Sequence, residues 1–101
     1  ICIMQFSVKV TEYQKNLMLN ICDADLLGKN ISQNELNMTI SKSHYGDQII
    51  EKDQAKKLLE NSSVINMVGK NTISLSLELG IGSKNGVKEI SGVPFLIVFK
   101  L

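Results

Sequence analysis

The chain has 101 residues, of which 44% are hydrophobic, and this size supports one hydrophobic core and excludes two independent domains. Eleven lysines, no arginine and ten acidic residues give a formal charge of +1, so no overall field attracts nucleic acid or an anionic membrane from a distance. Lysine also lacks the planar fork with which arginine reads guanine, which disfavours base-specific DNA binding.

The residues available for metal binding or disulfide formation are few. Cys2, Cys22 and the single His44 cannot assemble a four-ligand zinc site or a disulfide scaffold within the chain. We therefore expect no metal and no cofactor, and we predict that both cysteines are reduced core residues. No apolar run approaches the ~20 residues that span a bilayer, and the N-terminus lacks the features of a signal peptide. These observations predict a cytoplasmic protein without a membrane partner.

The first predicted elements form a β-hairpin. Alternating apolar residues over 2–10 and a second apolar run over 17–22 predict two strands joined by a polar loop. If the chain turns near Tyr13 and Gln14, Cys22 lies opposite Gln5 or Phe6.

A helical turn, a third strand and a longer helix are predicted next. Asp23 can cap a short helical turn over 23–28, which ends at a glycine. Alternating apolar residues at 36–40 predict a third strand. Over 51–61, apolar residues fall three and four apart behind leading acids, which is typical of an amphipathic helix.

The segment 70–79 fits two local structures. Its apolar residues alternate with polar ones as in a half-buried strand, whereas Gly80 after a leucine-rich run is typical of the end of a helix. The preceding apolar run, 64–68, fits either a buried strand or the lead-in to a helix.

Two further strands are predicted near the C-terminal end of the sequence. A short strand over 87–90 follows a glycine-rich loop, and Pro94 is expected at the first position of the next strand because proline cannot donate to a ladder. Residues 95–99 are apolar at every position. We predict that they form a central strand, covered by helices on one side and by neighbours or a partner on the other.

Cys22 and His44 are the residues that could support an enzyme. A thiol at a strand-to-helix corner can have a depressed pKa and act as a nucleophile, and His44 could serve as its base. The alternative for Cys22 is a buried core thiol. For His44 it is a surface turn in which Tyr45 is an aromatic anchor.

Several polar residues near predicted turns are candidates for binding. Lys29, Lys42 and Lys70 each adjoin a turn and could contact backbone phosphate, the alternative being a solvated surface of mixed charge. Asn66 lies within an apolar run, where its amide could hold a ligand or, as a structural residue, a neighbouring loop.

Four short motifs resemble, in order and spacing, those of the archaeal family named domain of unknown function 424. They are Cys-Asp-Ala-Asp-Leu-Leu-Gly-Lys at 22–29, His-Tyr-Gly at 44–46, Asn-Met-Val-Gly at 66–69 and Gly-Val-Pro at 92–94. The similarity covers almost the whole chain. The family usually continues Gly-Val-Pro with a histidine and small or polar residues, whereas Phe95-Leu96-Ile97 follows here. The resemblance therefore implies that this chain has lost a candidate polar site.

The resemblance also implies a helix after the 66–69 motif, so we predict a helix over 70–79. The expected fold is α+β, with one domain over 1–101. In it, helices 51–61 and 70–79 pack on a mixed sheet that contains the N-terminal hairpin and the strand at 95–99.

For function, the resemblance implies an archaeal cytosolic protein from a family whose genes tend to lie among translation genes. Together with the small size and the incomplete catalytic set, it predicts a non-enzymatic accessory protein that docks on a ribosomal subunit or a translation factor. Lys29, Lys42 and Lys70 would contact RNA, and the ligand-binding loops would be organised by Asp23, Tyr45 and Asn66. The alternatives are a small cysteine-dependent enzyme acting on RNA or a metabolite, and a homo- or hetero-oligomeric adaptor that buries an apolar sheet face.

Overall fold

A six-stranded mixed sheet forms the centre of the computed structural model, which describes residues 4–100. In chain order the strands are β1 (Gln5–Tyr13), β2 (Asn16–Asp23), β3 (Asn30–Gln33), β4 (Leu36–Thr39), β5 (Gln48–Glu51), β6 (Val64–Val68), β7 (Lys88–Ile90) and β8 (Val93–Phe99). The helices are α1 (Lys42–Tyr45), α2 (Lys52–Asn61) and α3 (Lys70–Glu78), with 3-10 turns at Ala24–Leu26 and Lys84–Gly86. The radius of gyration is 12.9 Å, close to the ~13 Å expected of one compact domain of about 100 residues. The predicted α+β class is confirmed.

The N-terminal hairpin is present and longer than predicted. β1 and β2 pair as far as Tyr13 and Asn16, and the two residues between them, Gln14 and Lys15, both have positive φ. Two-residue turns of this kind match the right-handed twist of the flanking strands. The predicted register is wrong by one or two residues, because the turn lies further along the chain, and Cys22 pairs with Ser7 rather than with Gln5 or Phe6. The beginning of the predicted first strand, and the core role predicted for Cys2, lie outside the described residues.

The strands of the large sheet follow the order β5-β1-β2-β6-β8-β7. β2 and β6 run parallel, and the other neighbouring pairs are antiparallel. A parallel pair requires a long crossover connection, which here includes α2. Residues 64–68, for which the sequence allowed either a buried strand or the lead-in to a helix, form the strand β6. Its core-facing residues Ile65 and Met67 are buried.

Both long helices pack on one face of this sheet. The helix predicted over 51–61 is confirmed as α2, and Glu51 N–H donates to Gln54 Oε1 across its first turn at 3.3 Å. The main core lies between this face and the helices and consists of Phe6, Val8, Leu19, Ile21, Ile50, Ala55, Leu59, Ile65, Met67, Ile73, Leu75 and Leu96. No helix within residues 4–100 has the length and apolar character needed to cross a membrane.

The segment 70–79 is helical, as the resemblance implied, and its strand-like alternation is misleading. α3 buries Thr72, Ile73, Leu75 and Ser76, which share a helical face. Ser76 satisfies its buried hydroxyl by donating to the Ile81 carbonyl at 2.8 Å. Because small polar side chains lie inside, the apolar residues alone do not reveal the buried face.

A second apolar cluster lies on the opposite face of the sheet. The β3–β4 hairpin and α1 cover part of this face, where Cys22, Ile31, Ile40 and Val68 are buried. The strand predicted at 36–40 is confirmed as β4. The partner strand β3, the edge strand β5 and the short helix α1 were not predicted from their polar sequences.

β8 lies between β6 and β7, one strand from the edge of the sheet. Pro94 is its second residue, not its first. The prediction of a central strand covered on both faces is wrong at the far end, since Ile97 is 58% and Phe99 69% exposed.

Candidate functional site

A groove opens where the parallel strands β2 and β6 end. Carboxyl ends of parallel strands meet at one edge of a sheet, and ligands of α/β proteins commonly bind in crevices there. The volume of this groove is about 260 Å³, and we call it the β2–β6 groove. Three of the motifs that carry the family resemblance meet in its lining, which consists of Asp23, Asp25, Leu26, Gly69, Lys70, Asn71, Gly92, Val93 and Pro94.

The Asp23 carboxylate caps α3 inside this groove. Its oxygens accept hydrogen bonds from the backbone N–H groups of Asn71 (3.1 Å) and Thr72 (2.8 Å) and from the Thr72 hydroxyl (2.7 Å). The first N–H groups of a helix have no partner within the helix, and the helix dipole favours negative charge there. The N-cap residue Gly69 has no side chain that could accept these bonds, so Asp23 supplies the acceptor from the neighbouring strand.

Gly69 is required by this cap for two reasons. Its φ is 108°, a region that residues with a side chain rarely adopt. A Cβ atom at this position would also lie only 2.5–2.7 Å from the three atoms of the Asp23 carboxyl group. The approach of β2 to the start of α3 therefore depends on glycine.

Three polar side chains remain exposed around the groove. Asp23 is 7% exposed and its oxygens are engaged, whereas Asp25, Lys70 and Asn71 are open to solvent. Lys70 would attract a phosphate and Asp25 would oppose it. This arrangement suits a mixed polar contact at the rim of the groove better than capture of a free anion. Within residues 4–100, no group of three or more His, Cys, Asp and Glu side chains is placed to hold a metal ion.

The other two lysines that are predicted to contact RNA lie on or beside the segment 24–29, which connects β2 to β3. Lys29 ends it, with its N–H donating to the Leu26 carbonyl at 3.1 Å and its carbonyl accepting from Ile40 at 2.9 Å. Lys42 is the first residue of α1. Its side chain and that of Leu27 both pack against Gly46, because a Cβ atom at Gly46 would lie 2.9 Å from Lys42 Cγ and 3.1 Å from Leu27 Cδ2. Leu26 lines the groove together with Lys70. Lys29 thus belongs to this hydrogen-bonded segment, and Lys42 and Lys70 lie beside it.

The short helix α1 is attached to the sheet through its backbone. Ser7 Oγ donates to the carbonyl of Tyr45 at 2.7 Å, Lys9 Nζ to that of Ser43 at 2.7 Å, and Asn20 Nδ2 to that of His44 at 2.9 Å. The last carbonyls of a helix lack partners within it, and here three consecutive ones are satisfied by side chains of β1 and β2. α1 is therefore fixed to the sheet.

Tyr45 and Asn66, the other predicted ligand-binding residues, lie near the attachment of α1 to the sheet and not in the β2–β6 groove. The half-buried Tyr45 ring packs in the second apolar cluster, where burial, with a smaller effect of the neighbouring Cys22, raises the pKa of Tyr45. Asn66 Nδ2 donates to Asn20 Oδ1 at 2.8 Å, which orients Asn20 toward α1. Asp23 is the only one of these three residues that lines the groove.

Cys22 does not have the environment of a nucleophile. Its side chain is fully buried, and its pKa is raised to about 12, first by burial and then by the negative charges of Asp23 and Asp25. His44 is exposed, and its Nδ1 lies 2.7 Å from Ser41 Oγ. Within the described residues Cys22 and His44 form no hydrogen bond with each other. The thiol is protonated at neutral pH and shielded from substrate.

The structural roles of Gly69, Ser7 and Asn20 were not predicted from the sequence. One signal for Gly69 was available, because a helix that begins after glycine has no side-chain cap of its own and needs an acceptor from elsewhere. Nothing local indicates that this acceptor is Asp23, which lies on another strand. The roles of Ser7 and Asn20 depend on where α1 packs, and the sequence around α1 did not predict a helix.

Comparisons with known proteins agree with this fold. A search of curated proteins found no match. The structure is similar to the crystal structure of an uncharacterized conserved protein from Methanopyrus kandleri, with 23% sequence identity, a TM-score of 0.78, and coverage of 96% of this chain and 94% of that one. The family model described as a protein of unknown function, DUF424, matches residues 11–101. The chain therefore belongs to the DUF424 family.

Proposed function

We propose that this protein is a non-enzymatic accessory protein of the archaeal translation apparatus, which docks on a ribosomal subunit or a translation factor. In this proposal, Lys29, Lys42 and Lys70 contact backbone phosphates of ribosomal RNA. The side chains that border the β2–β6 groove make additional polar contacts.

One observation carries the proposal: Lys29 ends a connecting segment, 24–29, that is held at both ends, and Lys42 and Lys70 lie beside this segment. Asp23 fixes its beginning to α3, and at its end Gly28 N–H donates to the Ile40 carbonyl at 2.7 Å. Charges on a fixed backbone lose less conformational freedom on binding than charges on a flexible loop. The arrangement therefore supports recognition of a fixed phosphate geometry.

The environment of Cys22 favours this proposal over the cysteine-dependent enzyme. A nucleophilic cysteine needs thiolate character and access, and burial and nearby negative charge oppose both at Cys22. Asp23 likewise uses its oxygens to cap α3. These groups serve the fold, while the exposed lysines are available to a partner.

Cosedimentation with ribosomal subunits purified from an archaeon tests the proposal. The protein should pellet with one subunit at low salt and be released as salt increases, because phosphate contacts displace counterions. Lys70→Glu should release it at lower salt. The matched control is Lys57→Glu on the exposed side of α2, which makes the same charge change away from the 24–29 segment. Failure to pellet with either subunit or with translation factors at low salt would contradict the proposal, as would equal effects of the two substitutions.

The adaptor hypothesis has one observation of its own in its favour. Ile97 and Phe99, with 58% and 69% exposure, lie on a part of the sheet that the β3–β4 hairpin and α1 leave uncovered. This apolar surface is separate from the three lysines.

A further inference from the structure

The apolar part of the β2–β6 groove is held in place by the fold. Leu26 and Val93 line the groove and also pack in the second apolar cluster. Pro94 lies beside them, and its carbonyl accepts a hydrogen bond from Gly69 N–H at 2.9 Å. The volume of about 260 Å³ lies below the ~300–1,000 Å³ of pockets that enclose drug-sized ligands. The groove therefore suits one flat ring system rather than a larger molecule.

The exposed side chains of the groove differ in their hydrogen-bonding character. Asp25 offers two acceptor oxygens, Asn71 an amide that can donate, and Lys70 a positive charge. Asn71 binds Asp23 through its backbone N–H, so its side-chain amide is not needed for the cap of α3. A ligand that matches this lining must offer donors to Asp25 and an acceptor to Asn71, and it must carry a negative group for Lys70.

Of the four RNA bases, guanine alone offers this pattern of groups. Its Watson–Crick edge carries two neighbouring donors, N1–H and the N2 amine, and beside them the acceptor O6. A carboxylate accepts both donors in one bidentate contact through its two oxygens. Adenine and cytosine offer one donor beside an acceptor, and uracil has a single N–H between two carbonyls. Proteins that recognise RNA sequence read such edges on unpaired bases.

We propose that the β2–β6 groove binds an unpaired guanine of RNA, whose N1–H and N2 amine donate to the Asp25 carboxylate and whose O6 accepts from the Asn71 amide. The apolar lining packs against the ring, and Lys70 contacts the adjoining phosphate. The inference rests on the proposed docking on ribosomal RNA and names the base that the groove selects. It also accounts for Asp25, because a negative charge would only weaken a surface that binds phosphate alone.

The charges of the groove favour a nucleotide over an arginine side chain of a protein. Arginine is the other common bidentate partner of a carboxylate. Its positive charge would, however, be opposed by Lys70, which lines the same groove as Asp25. A guanylate is neutral at the base and negative at the phosphate, so it satisfies the carboxylate and the lysine together.

Fluorescence anisotropy with short labelled oligouridylates at low salt tests the inference. One probe carries a single guanine at its centre, and the others carry adenine, cytosine, uracil or hypoxanthine there. We expect the guanine probe to bind at least about tenfold more tightly than each of the others. The hypoxanthine probe is the sharpest comparison, because this base lacks only the N2 amine and so loses one hydrogen bond to the carboxylate.

Asp25→Asn separates recognition of the base from the general effect of charge. The amide replaces one acceptor with a donor, so the preference for guanine over uracil should fall at least about tenfold. A probe with xanthine, whose carbonyl replaces the N2 amine, should bind this variant more tightly than the guanine probe does. Asp47→Asn is the matched control, since Asp47 is exposed outside the groove lining and its substitution makes the same charge change. This control should keep the preference for guanine.

Three results would overturn the inference: no binding of the guanine probe, equal binding of the guanine and uracil probes, or a preference for guanine that Asp25→Asn leaves unchanged. The outcome is distinguishable from that of the docking proposal. A protein that pellets with ribosomal subunits but shows no preference for guanine contradicts this inference alone. A preference for guanine without pelleting contradicts the docking proposal alone.

Discussion

Asp23 and Gly69 act as one unit, because the carboxylate can reach the start of α3 only where the helix begins without a side chain. From the sequence, Asp23 is predicted to cap the turn that follows it. In the structure its carboxylate instead accepts bonds from α3, 48 and 49 residues further along the chain. A capping residue can be recognised from its type, but the helix that it caps depends on tertiary packing.

Because this cap depends on glycine, we expect Gly69→Ala to lower the free energy of unfolding more than the same substitution at another glycine. Gly28 provides a matched control, because it also has positive φ (88°) but has no atom within 4 Å of the position that a new methyl group would occupy. Gly28→Ala should cost about 1–2 kcal/mol through backbone strain alone. Gly69→Ala should cost at least about 1–3 kcal/mol more, since the new methyl displaces the Asp23 carboxylate. Urea unfolding of both variants measures the difference, and equal costs would show that the contact with Asp23 is unimportant.

The raised pKa of Cys22 predicts that the folded protein loses stability in alkaline solution. Burial and neighbouring negative charge raise its pKa from 9.0 to about 12, so the folded protein holds the thiol proton more tightly than the unfolded chain. This contribution to stability is complete below about pH 9 and is lost as the pH rises toward about 12. In a Cys2→Ala background, replacing Cys22 with alanine should make the free energy of unfolding less dependent on pH between 9 and 12. An unchanged slope would indicate that the thiol titrates alike in both states.

At the scale of elements, α1 shows how side chains of the sheet hold a helix too short to be stable alone. A helix of four residues is far below the ~12–15 residues at which isolated helices become stable. Its three final carbonyls instead bind Ser7, Lys9 and Asn20. The observed segment resembles the surface turn with an aromatic anchor that was considered for His44 and Tyr45. The helical form of this segment was not predicted.

This anchoring predicts that Asn20→Ala loosens α1. The substitution removes the bond to the His44 carbonyl and leaves the Asn66 amide without its partner, so it should cost about 1–2 kcal/mol. Hydrogen exchange at the Tyr45 and Gly46 amides should become faster. Asn37→Ala, on the exposed β3–β4 hairpin, is a suitable control that removes a side-chain bond elsewhere. Unchanged exchange at Tyr45 and Gly46 would contradict the proposed role of Asn20.

The elements that were predicted correctly are those whose pattern repeats over several residues. Alternation predicted β1, and the spacing of Ala55, Leu58 and Leu59 predicted α2. The same alternation favoured a strand at 70–79, where the buried polar residues Thr72 and Ser76 complete a helical face. Local pattern fails there because burial of a hydroxyl depends on a partner, such as the Ile81 carbonyl, that the pattern does not contain.

At the scale of the whole molecule, the fold separates two surfaces. The 24–29 segment, with the three lysines on and beside it, lies near the carboxyl ends of β2 and β6. The open edge of β8, along which β7 pairs only as far as Phe95, carries exposed apolar groups. The sequence indicated the lysines individually, since each adjoins a turn. Their placement on and beside one segment could not be predicted, because it depends on how α1 and α3 pack against that segment. The open edge of β8 could not be predicted either, because it depends on the order of the strands in the sheet.

The proposed docking is tested most directly by the salt dependence of binding to the ribosomal subunit. Each phosphate contact contributes roughly one to the slope of log affinity against log salt concentration. Replacing Lys29, Lys42 and Lys70 with glutamine should therefore reduce the magnitude of the slope by about three. The same number of substitutions at Lys52, Lys56 and Lys57 on α2 should leave it unchanged. Equal slopes for the two triple variants would contradict a docking surface built on the 24–29 segment.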